Sequence, residues 1–543
     1  ETIYTKGKST RSNSIIYPTI NFSGTWKAIG GTGTHNFNNL TITGSTQLNS
    51  GINMVVLTPS NRAADVQPKL TVNSTLDPGA HLVNMPVGTA FVIGAGGTAI
   101  VKATTLVNGA SYHANYTIAP TSMQGTSVIN YAGANQVIEN GFAYNILRVS
   151  GSGIKTLEGN TTVLGVAGTQ LAVDAGTLDL GTYTSDRQVA AGGTLSVVSG
   201  ATLRIGGTNT LPANYGTYTL DPNSTVEYYG TNQPVTSITY GHLLLSNTGT
   251  KTMPATAMAV KGNFTSTGTV SYTAGAAINV DGNVTIGTGT TFNGGSATHT
   301  VAGNWAANGT FVGNASTVTM TGANKTISST AGATEFNNLT LNGTGTSITV
   351  PALNVRGNIT APGGLSQVTD GTITMVNSSS KTISGSNLNF QNLTIEGIVT
   401  TASNLTLNGH FTTNAGKSFA ASAGTVTMSG ASKTIAGAGS MNFWGLRISN
   451  ATSTTSSFTI NSSLSGASAL VATAGTVSFG GTSTFGDTHY LFNAAVTGTK
   501  MQMLSGSHMY IAGAMTKTGS SVFDVSTTTP SYVYYNSINP QSV

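Results

Sequence analysis

The chain has no cysteine among its 543 residues. That excludes disulfide frameworks, thiolate metal sites and cysteine nucleophiles at once, and leaves packing and hydrogen bonds as the sources of stability. Charge is nearly as scarce, with Lys and Arg numbering 21, Asp and Glu 16, and a net charge of +5. Nucleic-acid recognition needs clustered Lys and Arg, and the densest cluster, Lys6, Lys8 and Arg11, is short and terminal. No nucleic-acid partner is expected. No apolar run approaches the ~18 residues of a membrane helix, so no membrane insertion is expected either. The opening Glu1-Thr2-Ile3-Tyr4 has neither the charged nor the apolar region of a signal peptide, which reads as a mature chain or a fragment. Proline is limited to 14 residues while 38% of the chain is hydrophobic, so the composition is not that of a disordered segment.

What is abundant points one way. Gly numbers 69, and Thr, Ser and Asn supply most of the polar character. Helix formers such as Glu, Lys, Arg and Gln are few beside Thr, Val and Ile, so intrinsic preference favours strand. An all-β fold is expected. The absence of cysteine and the low charge fit an exported bacterial protein better than a cytosolic enzyme.

Internal repetition is plentiful, and three motifs carry it. The first is an aromatic residue, a variable one, then Asn, His or Gly, then Leu. It runs FNNLTI from Phe37, YGHLLL from Tyr240, FNNLTL from Phe336, FQNLTI from Phe390 and FWGLRI from Phe443, with a looser YNILRV from Tyr144. Its third position holds Asn39, His242, Asn338, Asn392 and Gly445. These residue types tolerate positive φ best, which predicts a left-handed corner there between an inward aromatic and a strand.

The second motif precedes the first: TVTMTGANKTI from Thr317, TITMVNSSSKTI from Thr372 and TVTMSGASKTI from Thr425, with weaker copies from Ser127 and Thr225. Alternation sends Val318 and Met320 inward and Thr317, Thr319 and Thr321 outward. The third, apolar-x-Gly-Asn/His-apolar, gives the period, because Gly262, Gly282 and Gly303 stand 20 and 21 residues apart. Larger spacings follow, with Gly303 to Gly357 at 54 and Gly357 to Gly409 at 52.

A sandwich repeats only as whole domains, whereas a solenoid stacks like positions every coil. The expected fold is therefore an all-β, right-handed parallel β-solenoid (β-helix) of roughly 20-residue coils. Tandem immunoglobulin-like sandwiches are the competing architecture, and no pattern of paired Cys about a buried Trp supports them. Four segments are expected. Residues 1–51 form N-terminal coils, and 52–126, with Pro59, Pro68, Pro78, Pro86 and Pro120, form a less regular stretch. Residues 127–483 form the regular repeats, and 484–543, rich in Tyr and Met, form a cap or contact segment.

Parallel β-helices also host lyases and glycosidases, so chemistry has to be sought. Glycoside hydrolysis wants two carboxylates facing one cleft. The closest acidic group is Asp174, Asp179 and Asp186, which also reads as solvated corners. His35, His81, His113, His242, His299, His410, His489 and His508 show no metal-ligand spacing. The GAGG run at Gly94 reads as a turn, lacking the strand-to-helix setting of a phosphate loop. Lys325, Lys381 and Lys433 recur at one repeat position, with Lys27 a fourth. They read as edge protection rather than recognition of an anionic glycan. Outward Thr pairs such as Thr317 and Thr319 suit ordered water or ice, but sampled by the motif they recur once in three coils, and Thr is a good strand residue in any case. No catalytic, cofactor-binding or metal residue is assigned, no cofactor is expected, and the chain is not expected to be an enzyme.

The pairing of TVTMxGxxKTI with FxNLTI in Thr- and Asn-rich coils resembles the β-strand repeats of large Bacteroidetes surface proteins, many exported by the type IX route. The likeness covers most of residues 127–450. Stretches such as AGTLDLG from Ala175 and GGTLSVVSGATLRIGG from Gly192 are similar, more distantly, to filamentous-haemagglutinin-like solenoids. The resemblance implies an extracellular, cell-surface adhesin or filament. The expected function is a structural or adhesive surface solenoid and fibre-forming subunit, with a carbohydrate-active or glycan-binding β-helix as the alternative. Expected partners are surface glycans and further copies of the chain, stacked end to end through Ile15, Ile16, Tyr17, Ile20 and Phe22 at one end and Val533, Tyr534 and Tyr535 at the other.

Overall fold

The computed structural model describes residues 19–23, 27–29, 33–37, 39–48, 52–56, 68–164, 169–188, 192–329, 334–367, 371–430 and 433–448. Beyond these it describes 457–460, 464–466, 470–479, 482–485, 488–496, 500–503, 508–511, 514–517, 519–525 and 530–535. Short strands of three to six residues dominate, and coils stack in parallel as a β-solenoid. Among the described residues the one helix is Tyr112–Asn115. The chain divides into two compact units, residues 1–252 with 260–262 and residues 253–259 with 263–543. The division falls inside the 127–483 stretch.

In the first unit, Val128–Tyr131 pairs in parallel with Ile146–Val149, which pairs with Thr169–Val173 and so on to Gly192–Val197 and Tyr215–Leu220. A second face stacks Gln136–Ile138, Ile154–Leu157, Thr177–Asp179, Thr202–Ile205 and Thr225–Tyr228. Period-2 alternation puts Leu147, Val149, Leu171, Val173, Leu195 and Val197 in the core, all fully buried. Between Thr98–Val101 and Val128–Tyr131 the chain leaves the coil for an excursion that carries the helix. Asn115, itself fully buried, ties that excursion down. Its Oδ1 accepts from the N–H groups of Lys102 and Ala103, both at 2.8 Å, and its Nδ2 donates to the carbonyls of Gly79 and His81.

The second unit is more regular. Thr298–Val301, Thr317–Met320, Asn338–Leu341 and Ile359–Ala361 stack in order. Asn338 follows Thr317 by 21 residues and Asn358 follows Asn338 by 20, which is the coil length read from the glycines. Val318 and Met320 are buried as the alternation predicts. The first-motif aromatics face inward too: Tyr144 and Tyr240 in the first unit and Phe336, Phe390 and Phe443 in the second are all buried. In the second unit Phe292, Trp305, Phe311 and Phe336 form a continuous interior stack, with Trp305 and Phe311 centroids 4.8 Å apart and Phe311 and Phe336 5.1 Å apart.

The left-handed corner expected at the third position of the first motif is not there. Asn39, His242, Asn338, Asn392 and Gly445 each begin a strand, and none has positive φ. Left-handed asparagines lie instead in the second motif, at Asn232 and Asn324. Asn has a second use that overrides its backbone tolerance here: its side chain bridges coils. Asn338 Oδ1 accepts the N–H of Asn358 at 2.9 Å, and Asn392 Oδ1 accepts that of His410 at 2.8 Å. The rungs continue, since Asn263 Oδ1 accepts from Asn283, Asn283 from Asn304, and Asn304 from Thr326.

These bridges explain the glycine of the third motif in two of its copies. A Cβ on Gly357 would stand 2.2 Å from Asn338 Oδ1, and one on Gly409 would stand 2.2 Å from Asn392 Oδ1. The first motif of one coil thus occupies the space left by the third motif of the next.

Candidate functional site

One outward face of the second unit changes character along its length. Its parallel register runs Ser366, Asn389, Thr406, Thr427 and Arg447 and, through the backbone of residues 471 and 490, reaches Tyr510 and Tyr534. Small polar residues are the habit of such a face, because each satisfies water and packs beside its neighbours one coil away. The last coils abandon that habit. Two residues earlier on the same strands, His508 is in register with Tyr532.

The rings stack as the strand spacing dictates. Tyr510 and Tyr534 lie 4.6 Å apart at 12°, and His508 and Tyr532 5.2 Å apart at 13°. Tyr532 and Tyr534, side by side on one strand, are 6.1 Å apart at 23°. They are 47% and 38% exposed, so much of this aromatic surface faces solvent. Trp444, just before the strand Gly445–Ile448, is 59% exposed on the same unit, where sister copies of the motif carry Asn337 and Gln391. These exposed aromatics stand out on a unit otherwise rich in Ser, Thr and Asn.

The acidic trio singled out by sequence is not brought together. Asp174 pairs with Arg148 at 3.2 Å. Asp179 joins Arg204, which also holds Glu227, so carboxylate, guanidinium and carboxylate stack over three coils at 2.8 and 2.7 Å. Asp186 accepts the N–H of Ala213 at 2.7 Å. Each is a structural anchor.

Sequence reasoning missed the carboxyl pair that does form. Glu139 and Glu158, on neighbouring coils of the first unit, stand near enough for each to feel the other's charge. Burial first, and the Glu139 carboxylate second, hold the Glu158 carboxyl above its ordinary range. His113, from the helical excursion, meets Glu139 at 3.1 Å. No spacing rule could have flagged this group, because the excursion folds His113 back over a coil it does not belong to. Through His113 and the Gly141 N–H, at 3.1 and 2.7 Å, Glu139 fastens the excursion to the coil.

The histidines are dispersed. His299 is buried, with Nδ1 accepting the Ile278 N–H at 3.1 Å and Nε2 donating to Gly294 O at 2.7 Å, and burial lowers its pKa. That tautomer is fixed by the two bonds together. His410 bridges to Thr434, and His242 begins a strand against Gly262, as Asn does in sister repeats. Among the described residues no group of three or more His, Asp or Glu is placed to hold a metal ion. The side chains of His35, His489 and Lys27 lie outside the described residues.

Lys325, Lys381 and Lys433 are partly exposed, and the stems of Lys325 and Lys433 lie across the turn glycines Gly322 and Gly430. The Thr rows are denser than the motif suggested, since Thr300, Thr319, Thr340 and Thr360 are in register on consecutive coils. Thr300 Oγ1 donates to Asn279 Oδ1, joining two coils. At the GAGG run, Gly97 N–H donates to Gly94 O in a turn.

The fold is a parallel β-solenoid, with exposed aromatic residues on its second unit. No protein-family model, curated protein or solved structure matches the chain.

Proposed function

We propose that the protein is a structural and adhesive solenoid of the extracellular cell surface, without catalytic activity, and that the aromatic face of its second unit makes the contact. The observation that carries this reading is the switch of one row from Ser, Asn and Thr to Tyr510 and Tyr534, which stack on one another with Tyr534 exposed. A scaffold with low charge and no cysteine suits a secreted surface role, and the repeat resemblance points the same way. Adsorption of the labelled full chain to the outside of the producing cells should fall when Tyr510, Tyr532 and Tyr534 are all changed to Ala. Immunogold label confined to the cell interior, or undiminished adsorption by the triple variant, would overturn the proposal.

A second reading uses the same strand differently. Tyr532–Tyr535 pairs on one side with His508–Ile511, and among the described residues no strand pairs with its other side. In a solenoid, a strand edge that its own chain leaves unpaired is a template for another chain, and end-to-end association is proposed on that ground. Of the N-terminal residues expected to take part, Ile15, Ile16 and Tyr17 lie outside the described residues. Sedimentation of the full chain against a form lacking residues 528–543 tests it, since assembly should disappear on truncation.

A further inference from the structure

We propose that Asn108, at the tip of the helical excursion, is a site of spontaneous deamidation, where the chain converts its own amide to a carboxylate without an enzyme. The chemistry is open to an Asn followed by Gly, because glycine has no side chain to shield its nitrogen. Six such pairs occur: Asn108 with Gly109, Asn140 with Gly141, Asn293 with Gly294, Asn308 with Gly309, Asn342 with Gly343 and Asn408 with Gly409. The structure separates the first from the rest.

Asn108 and Gly109 are the central residues of a turn closed by Val107 and Ala110, whose N–H and C=O groups exchange bonds of 3.0 and 3.3 Å. Both have positive φ, 54° and 94°, as a two-residue turn of the primed kind requires. Both are exposed, and among the described residues nothing accepts the Gly109 N–H. In four of the other pairs the attacking nitrogen is tied down. Gly141 N–H donates to Glu139 Oε1 at 2.7 Å, Gly294 N–H to Val312 O at 2.8 Å, Gly309 N–H to Ile286 O at 2.9 Å and Gly343 N–H to Met320 O at 3.1 Å. In the last pair the amide itself is held, since Asn408 Oδ1 accepts from the Ser429 hydroxyl of the next coil.

The Gly109 nitrogen loses its proton to solvent and attacks Asn108 Cγ. A C–N bond forms, the Cγ–Nδ2 bond breaks as Nδ2 takes up a proton, and ammonia leaves a closed succinimide ring. Water then opens the ring at either carbonyl and gives aspartate or isoaspartate, so one water is consumed for each ammonia released. Either product puts a negative charge beside Leu106 and Val107, which are 54% and 44% exposed. It also lies near Glu158, whose Oε2 stands 3.1 Å from the place a Cβ on Gly109 would take. An apolar tip thereby becomes an acidic one as the protein ages.

The test incubates the full chain at mildly alkaline pH, folded and in urea, and follows each of the six Asn residues by proteolysis and mass spectrometry. In the folded chain Asn108 should convert roughly tenfold faster than the others or more, because each of those must first give up a hydrogen bond or open locally. In urea all six should convert at comparable rates, since the fold and not the local sequence separates them. Isoelectric focusing gives a second readout. The folded chain should accumulate an acidic form that Asn108→Gln lacks, because glutamine has to close a larger, less favourable ring. The inference is overturned by conversion at Asn342 or Asn408 ahead of Asn108 in the folded chain, by a folded Asn108 rate far below its rate in urea, or by the same acidic form in Asn108→Gln.

Discussion

Lys155 and Lys251 are fully buried, and neutral oxygens hold their ammonium groups. Lys155 Nζ donates to Ser152 O at 2.5 Å, while Lys251 Nζ donates to Gly230 O and, at 3.0 Å, to Gln233 Oε1. The two occupy equivalent repeat positions, each in register with a glutamine of the preceding coil, Gln136 or Gln233. Burial lowers both pKa values to about 8. Unfolded lysine titrates near 10.4, so between pH 8 and 10 the unfolded chain binds more protons than the folded one. Stability of the first unit should therefore rise with pH across that window and show no lysine contribution to the slope below it. Above pH 10 the effect is opposed, because burial raises the phenols of Tyr131 and Tyr144, and the unfolded chain then loses protons first. Urea midpoints at pH 7.5, 9 and 10 would check this. Replacing both lysines by Met should flatten the rise, and an unchanged slope would show that other groups cause it.

At the scale of the strand, the Asn rungs and the glycines facing them act as one device. Gly357→Ala forces a methyl group onto Asn338 Oδ1, 2.2 Å away, and should cost about 1–3 kcal/mol as an overpacking change. Asn338→Ala removes the nearest obstacle, leaving the Asn337 carbonyl at 2.8 Å, together with one hydrogen bond worth about 1 kcal/mol. The double variant should be more stable than the sum of the singles implies, as measured by denaturant midpoints in a double-mutant cycle. Strict additivity would mean that the two residues do not share space. Much of this was legible in the sequence: the motif spacing gave the coil length, and alternation put Val318, Met320 and the motif aromatics inside. The role of Asn338 and Asn392 was not, because a residue type that tolerates positive φ and a residue type that bridges coils are the same residue. Only the neighbouring coil decides between them. The Glu139, Glu158 and His113 group escaped for a related reason, since the helical excursion brings it together and no period marks it. The aromatic enrichment after residue 484 was visible, but not that it occupies a face kept small and polar further upstream.

Across the whole molecule, like contacts recur from coil to coil, so stability should behave as a sum of local terms. Asn358 stands in the third motif where the rung from Asn338 ends, 20 residues on. Deleting residues 338–357 removes one full coil and rejoins Asn337 to Asn358 close to register, so the second unit should keep its β circular dichroism and a cooperative melt. Deleting only 338–347 joins different corners of the coil and should abolish the cooperative melt. If both deletions melt alike, the coil is not the unit of construction. The rungs also have a direction: the acceptor sits on the earlier coil and the donor on the later one, from Asn263 through Asn283 and Asn304 to Thr326. Along these rungs, a chain that emerges amino end first presents each acceptor before its donor is made, so that synthesis and stacking run in the same direction.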